Sequence, residues 1–183
     1  MKGLERTTDV VNLNEHFGDV TVLPDFSCGV AMLDKYLSKG NLRRAIASEN
    51  LSATGIVNAS DELIGYMTMS FAMLDKARVQ PHVTQQTNLP GLLPVAKILM
   101  IAVDQRHQGQ GHGVTLILEG LVKAAHIHCT VPLKGIYLDA GPEKSGFYTN
   151  TFGFIALAES QPDTTTPMYL PMANLLAAIS TAQ

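Results

Sequence analysis

The sequence predicts an α+β domain: a mostly antiparallel sheet with one central parallel pair of strands, and helices on both faces. Three observations carry this. An apolar, β-branched run, Ile98 to Val103, leads through a glycine-rich turn into apolar residues at helical spacing, Val114, Leu116, Ile117, Leu118, Leu121 and Val122. A further strand-like run, Gly135 to Ala140, follows that helix, so the two strands are expected to be parallel neighbours joined by helix 111–127. Upstream, Leu51 to Val57 and Leu63 to Phe71 flank the turn residues Asn58 to Asp61 as a hairpin.

Taken in order, Asp9 to Leu13 reads as a short strand, and Val30 to Leu37 as a helix with an apolar face at 30, 33, 36 and 37. Gly40 and Asn41 break it before a second short helix, Leu42 to Ala47. After the hairpin, Leu74 to Pro94 holds three prolines and no period. It is the longest expected loop, and loops of that length are usually functional or mobile. Beyond strand 135–140 come a short helix from Pro142 to Thr151 with Glu143 in its first turn, and a strand from Gly153 to Leu157. A polar loop over Gln161 to Pro167, a short strand from Met168 to Leu170 and an apolar helix from Met172 to Ile179 complete the chain. No internal repeat or linker interrupts it, so residues 1–183 read as one domain.

Composition bounds the function. The chain is 46% hydrophobic and 16% charged, which excludes a disordered protein. No apolar run is long enough to span a bilayer, and the polar start, Met1 to Asp9, does not resemble a signal peptide. Cys28 and Cys129 are too few for a disulfide framework, so a reduced, cytoplasmic protein is expected. The formal net charge of −3 does not point to nucleic acid.

The strand–turn–helix at the centre of the chain is built to bind a phosphate. The first N–H groups of a helix lack intrahelical partners and lie at the positive end of its dipole. Glycines let a phosphate approach the backbone closely. Gly109, Gly111 and Gly113 stand at alternate positions. The spacing is not a P-loop, which needs Gly-Lys-Ser/Thr, nor the dinucleotide fingerprint Gly-x-Gly-x-x-Gly.

The pattern Arg106-x-x-Gly109-x-Gly111-x-Gly113 resembles the acetyl-CoA pyrophosphate loop of the GNAT superfamily of N-acetyltransferases. Downstream, Phe147-Tyr148-Thr-Asn-Thr-Phe-Gly153-Phe154 resembles the Phe-Tyr element that closes the GNAT core. The resemblance covers roughly 51–170. A narrower likeness lies in Phe26-x-Cys28-Gly29, Leu33-Asp34-x-Tyr36-Leu37, Gly65-Tyr66-x-Thr68 and Ala102-Val103-Asp104. These resemble the branch containing the toxins of type II toxin–antitoxin pairs, which acetylate aminoacyl-tRNA and are silenced by a ribbon-helix-helix antitoxin.

The resemblance implies that the central parallel strands splay and admit the pantetheine arm of acetyl-CoA. It places cosubstrate contacts at Ile101, Ala102 and Val103 on the strand and at Arg106, Gln108, Gly109, Gln110, Gly111, His112 and Gly113 in the loop. It adds Asp139 and Ser145 to that site and makes Tyr148 the acid that protonates the departing thiolate. Phe147 reads as core. The implied partners are acetyl-CoA, an amine acceptor such as aminoacyl-tRNA, an antitoxin and a second copy of the chain.

No general base stands out, because Asp104, Asp139 and Glu143 all have turn, strand-end or helix-start roles. An α-amine, with a pKa near about 8, is partly neutral at pH 7, whereas lysine, near about 10.4, is almost wholly charged. A base-poor site therefore favours an α-amine acceptor. Two other readings stay open: a small-molecule or peptide N-acetyltransferase, and a non-catalytic acetyl-CoA-binding module.

Other groups read as structural. His126-x-His128-Cys129 lacks the spacing for one metal, since residues two apart on a helix diverge, so no metal is expected. Cys28 reads as a small buried thiol. A tRNA substrate needs a basic rim, for which Lys39, Arg43, Arg44, Lys76, Arg78, Lys97 and Arg106 are the candidates.

Overall fold

The structure, a computed structural model, describes residues 8–83, 89–159 and 163–181. Seven strands form one mixed sheet in the order β1-β2-β3-β4-β5-β7-β6. They are β1 (Thr8–Asn12), β2 (Ser52–Asn58), β3 (Leu63–Asp75), β4 (Leu92–Val103), β5 (Gly135–Ala140), β6 (Ile155–Ala156) and β7 (Thr166–Pro171). The helices are α1 (Leu13–His16), α2 (Ala31–Ser38), α3 (Asn41–Ala47), α4 (Lys76–Val79), α5 (His112–Thr130), α6 (Ser145–Phe152) and α7 (Met172–Thr181). Strands β4 and β5 are the parallel pair, as expected; β1–β2, β2–β3, β5–β7 and β6–β7 are antiparallel. None of the described helices is long and apolar enough to cross a membrane.

The chain divides into two compact units, residues 1–70 with 100–120, and residues 71–99 with 121–183. Each unit takes part of β3, β4 and α5, so they are not consecutive domains.

In the first unit, β2 pairs with β1 from Asn12↔Thr54 to Thr8↔Asn58, and with β3 from Ser52↔Met69 to Ile56↔Gly65. Alternation along β2 and a register shift against β3 between Ile56 and Val57, which sets Leu63 opposite Val57, place Ala53, Val57, Leu63 and Tyr66 in a core completed by Leu13 of α1, Leu37 of α2, Leu42 of α3, Phe26 and Ala102. The turn α1 was not legible in the sequence. Asn12 caps it by accepting the Asn14 N–H, which seats the fully buried Leu13.

In the second unit, β4 and β5 pair in parallel from Val95↔Gly135 to Ile98↔Leu138. The ladder ends there, although β4 continues to Val103 and β5 to Ala140. On its other side β5 pairs with β7 along its whole length. The core gathers Leu74, Val79, Val83, Leu93, Val95, Tyr137, Leu157 and Tyr169. The Tyr169 hydroxyl donates to the Lys134 carbonyl at 2.6 Å.

Several expected boundaries move. Leu74 to Pro94 is not one long loop. β3 runs to Asp75, whose carboxylate caps α4 through the Ala77 N–H, and β4 starts at Leu92. Buried Val79 and Val83 pin the connection, and residues 84–88 lie outside the described set. Pro94 argued against a strand, but it lies one residue before the ladder with β5 begins, so its missing N–H breaks no rung there. α6 begins at Ser145, because Glu143 adopts φ +60° in the preceding turn, a left-handed conformation no helix contains. The strand expected from Gly153 shrinks to Ile155–Ala156, since Gly153 is the left-handed cap of α6. Thr166 and Pro167 belong to β7 rather than to the polar loop, whose residues 161 and 162 lie outside the described set. Phe147 is 40% exposed and not core; its ring meets Tyr148 and Phe152 edge-on.

Candidate functional site

The loop between β4 and α5 is held from below by one buried carboxylate. Asp104, 1% exposed, ends β4 and caps a single 3-10 turn, Gln105–His107. Its oxygens accept the Arg106 N–H at 3.0 Å, the Ser27 N–H at 3.2 Å, and the Arg106 guanidinium at 2.8 and 2.9 Å. Those bonds, the guanidinium first, hold the Asp104 carboxyl down at about 2.

Arg106 is therefore not a free phosphate ligand. Its guanidinium also bonds Asp25 at 2.8 and 3.4 Å. The expected charge contribution is already spent on two carboxylates of the chain itself. Gln108 likewise turns its side chain inward, donating to the carbonyls of Val103 at 2.8 Å and Cys28 at 3.0 Å. What remains for a ligand from these positions is backbone.

Three glycines open that backbone. Gly109 and Gly111 take φ +75° and +87°, conformations that side chains rarely adopt. At Gly109, Gly111 and Gly113 an added Cβ would meet no protein atom within 4 Å. The Gly111 carbonyl accepts the Thr115 N–H at 3.0 Å, so α5 starts here with its first N–H groups unclaimed by the helix ladder. His112 opens the helix. Its Nε2 is buried and unpartnered among the described residues. Burial, then the neighbouring His107 ring, lowers its pKa. Ala102 and Val103 are buried, and Ile101 half-buried, at the end of β4.

The motif pieces from the N-terminal half meet in the same unit. Asp34 of α2 accepts the Cys28 N–H at 2.7 Å and the Ser27 hydroxyl at 3.0 Å. Burial acts against its ionised form, but these bonds outweigh it and lower its pKa. The Ser27 carbonyl accepts the Gln105 N–H at 2.8 Å. Gly29 sits at φ +88°, and a Cβ there would come within 2.9 Å of Gln105 Nε2. Tyr66 bonds the Leu33 carbonyl at 3.1 Å and packs on Phe26. Burial, then Asp34, pushes the Cys28 thiol up to about 11, away from the thiolate form a nucleophile needs.

In the second unit, Tyr148 of α6 packs edge-on against Phe154 and Phe147. Among the described residues its hydroxyl has no hydrogen-bond partner, and burial raises its pKa, so the phenol keeps its proton at neutral pH. Asp139 on β5 accepts the Tyr137 hydroxyl at 2.6 Å and pairs with Lys97 at 3.1 Å. It is a compensated strand residue, as is Lys97. Ser145 is the first residue of α6. The described residues contain no group of three His, Cys, Asp or Glu able to hold a metal. The His128 Nδ1 lies 3.0 Å from the Leu133 carbonyl oxygen and 3.2 Å from the Leu133 nitrogen, beyond the end of α5.

No protein-family profile matches the chain, and no curated protein does either. Solved structures do match. One, described as a bacterial toxin, is 28% identical, with a TM-score of 0.84, over 94% of this chain and 95% of that one. A tyrosine-to-phenylalanine variant of KacT is 23% identical, with a TM-score of 0.82, over 94% and 99%. AtaT complexed with acetyl-methionyl-tRNAfMet is 21% identical, with a TM-score of 0.78, over 94% and 99%. AtaT is also known bound to acetyl-CoA and the C-terminus of the antitoxin AtaR. The chain has the GNAT fold of these toxins.

Within that fold, the glycine loop expected from the sequence does lie between β4 and α5, and Tyr148 lies on α6. Sequence reasoning missed the residues that hold the loop. Asp25 and Ser27 reach Arg106 and Asp104 from 81 and 77 residues away, and no spacing rule connects them. The available signals were the quoted Phe26-x-Cys28-Gly29, Leu33-Asp34-x-Tyr36-Leu37 and Ala102-Val103-Asp104 stretches, which hold Ser27, Asp34 and Asp104.

Proposed function

We propose that this protein is an acetyl-CoA-dependent N-acetyltransferase whose acceptor is the α-amine of an aminoacyl-tRNA. The observation that carries the reading is the open glycine backbone of Gly109, Gly111 and Gly113 at the start of a 19-residue helix. The N–H groups of Gln108 to Gly113 hold the pyrophosphate, and the dipole of α5 favours its charge. Backbone groups of Ile101 and Val103, beyond the point where the β4–β5 ladder ends, bond the pantetheine amides. A strand N–H polarises the thioester carbonyl. The amine nitrogen forms the new bond to the acetyl carbon, the carbon–sulfur bond breaks, and Tyr148 gives its proton to the thiolate. The amine loses its surplus proton to solvent. Burial raises the pKa of Tyr148 and so keeps the proton it would give on the phenol at neutral pH.

The tRNA acceptor is supported by the likeness to AtaT and by the scarcity of uncompensated bases, which suits an amine already partly neutral. An antitoxin, as AtaR is to AtaT, and a second copy of the chain are the expected partners, in a cytoplasmic setting.

One observation favours the alternative of a small-molecule or peptide acceptor: much of the expected basic rim is engaged. Arg106 is paired with Asp25 and Asp104, Lys97 with Asp139, and Arg43 stacks on Phe17. The test incubates the protein with labelled acetyl-CoA and either charged tRNA or free amines. Label is expected on the aminoacyl group of tRNA. Charge reversal at Arg43 and Arg44 is expected to raise the KM for tRNA and leave that for acetyl-CoA unchanged. Label that enters free amines and never tRNA establishes the alternative. No transfer to any acceptor, with acetyl-CoA still bound, leaves a non-catalytic binding module.

A further inference from the structure

We infer that Asp104 is a positioning residue that holds the pyrophosphate loop in its binding conformation by clasping it to the segment Asp25–Gly29. This rests on the acetyl-CoA reading of the loop.

The charges around the loop call for such a role. Asp25, Asp104 and Arg106 form one connected group with a net negative charge. Arg106, the cation of this loop, is already engaged by both carboxylates, and Coulomb's law alone counts Asp104 against binding a diphosphate here. Keeping a carboxylate at this position makes sense only if its geometric work outweighs that repulsion.

The geometry supplies the work. Asp104 is all but fully buried and takes four hydrogen bonds, two from backbone N–H groups on either side of the clasp, Ser27 and Arg106. Two further bonds close it, Gln105 N–H to the Ser27 carbonyl and the Gln108 amide to the Cys28 carbonyl, while the same amide ties the loop back to the Val103 carbonyl of β4. A Cβ on Gly29 would come within 2.9 Å of the Gln105 side-chain amide, so the two segments are in direct contact. Asp34 anchors the far side of the clasp to α2 through Ser27 and Cys28. The loop is thus fixed by side chains that turn away from the ligand, while its glycines face open space. A loop ordered in advance loses less entropy on binding.

The test separates positioning from charge and from general damage. Three variants, Asp104→Asn, Asp34→Asn and Asp25→Asn, are assayed with acetyl-CoA and with acetyl-pantetheine, which lacks the pyrophosphate. Asp104→Asn is expected to raise the KM for acetyl-CoA by about tenfold, with kcat within about twofold and the KM for acetyl-pantetheine unchanged. Asp34→Asn is expected to do the same to a smaller extent, about threefold, and serves if Asp104→Asn does not fold. Asp25 is 69% exposed and meets the loop through the Arg106 guanidinium, so Asp25→Asn is expected to raise the KM for acetyl-CoA by less than Asp104→Asn does, whereas relief of repulsion alone would lower it in both. In the free protein, amide exchange over residues 105–111 should quicken in Asp104→Asn, a readout that needs no cosubstrate. An Asp104→Asn enzyme that binds acetyl-CoA as well as or better than wild type overturns the inference. Equal losses with both thioesters also overturn it. Wild-type protein that binds no acetyl-CoA removes the functional reading and this inference together.

Discussion

Gly113→Ala separates ligand binding from folding better than any other change in the loop. Gly109 and Gly111 are poor choices, because their positive φ values would add roughly 1–2 kcal/mol of backbone strain to any side chain. Gly113 lies in the first turn of α5, shows no positive φ, and its Cβ would touch nothing in the protein. The fold should therefore gain. Glycine to alanine inside a helix stabilises by up to about 1 kcal/mol, and about half of that is reasonable in the first turn. For a domain of this size that is a rise in Tm of roughly 1–2 °C. Binding should move the other way, since a methyl group would stand where a phosphate oxygen must approach an N–H to about 3 Å. Affinity for acetyl-CoA should fall by more than about tenfold, or about 1.4 kcal/mol. Calorimetric titration and a thermal melt on the same preparation measure both. A variant that is at least as stable as wild type and binds acetyl-CoA equally well would refute the placement of the pyrophosphate.

Two other outcomes follow from named side chains. Tyr148→Phe removes a hydroxyl without a partner among the described residues, so Tm should stay within about 1 °C while kcat drops by about two orders of magnitude and acetyl-CoA binding is kept; wild-type turnover would return Tyr148 to a packing role. With its thiol pushed up to about 11, Cys28 should be alkylated at pH 7.5 on the order of a hundred times more slowly than free cysteine, and after the exposed Cys129; rapid modification of Cys28 in the folded protein would contradict the Asp34 contact.

The sequence by itself determined the elements whose evidence is local. Strand 135–140 was read to the residue, and the strand, glycine turn and helix of β4 and α5 in the right order, because period and glycine spacing depend only on neighbours along the chain. Tyr148 was legible for the same reason, as part of a contiguous motif. Tertiary structure decided what each charged group does. Arg106 looked like a phosphate ligand until Asp25, 81 residues away, claimed its guanidinium. Asp104 looked like an ordinary turn residue until its burial and the Ser27 N–H made it the anchor of the loop. Helix α6 starts late because Glu143 takes a left-handed conformation, and Val79 and Val83 are buried although no period in the sequence marks them. A pattern of apolar residues records which face of an element is buried. It does not record which distant carboxylate a cation will meet, because that pairing exists only after the chain has folded.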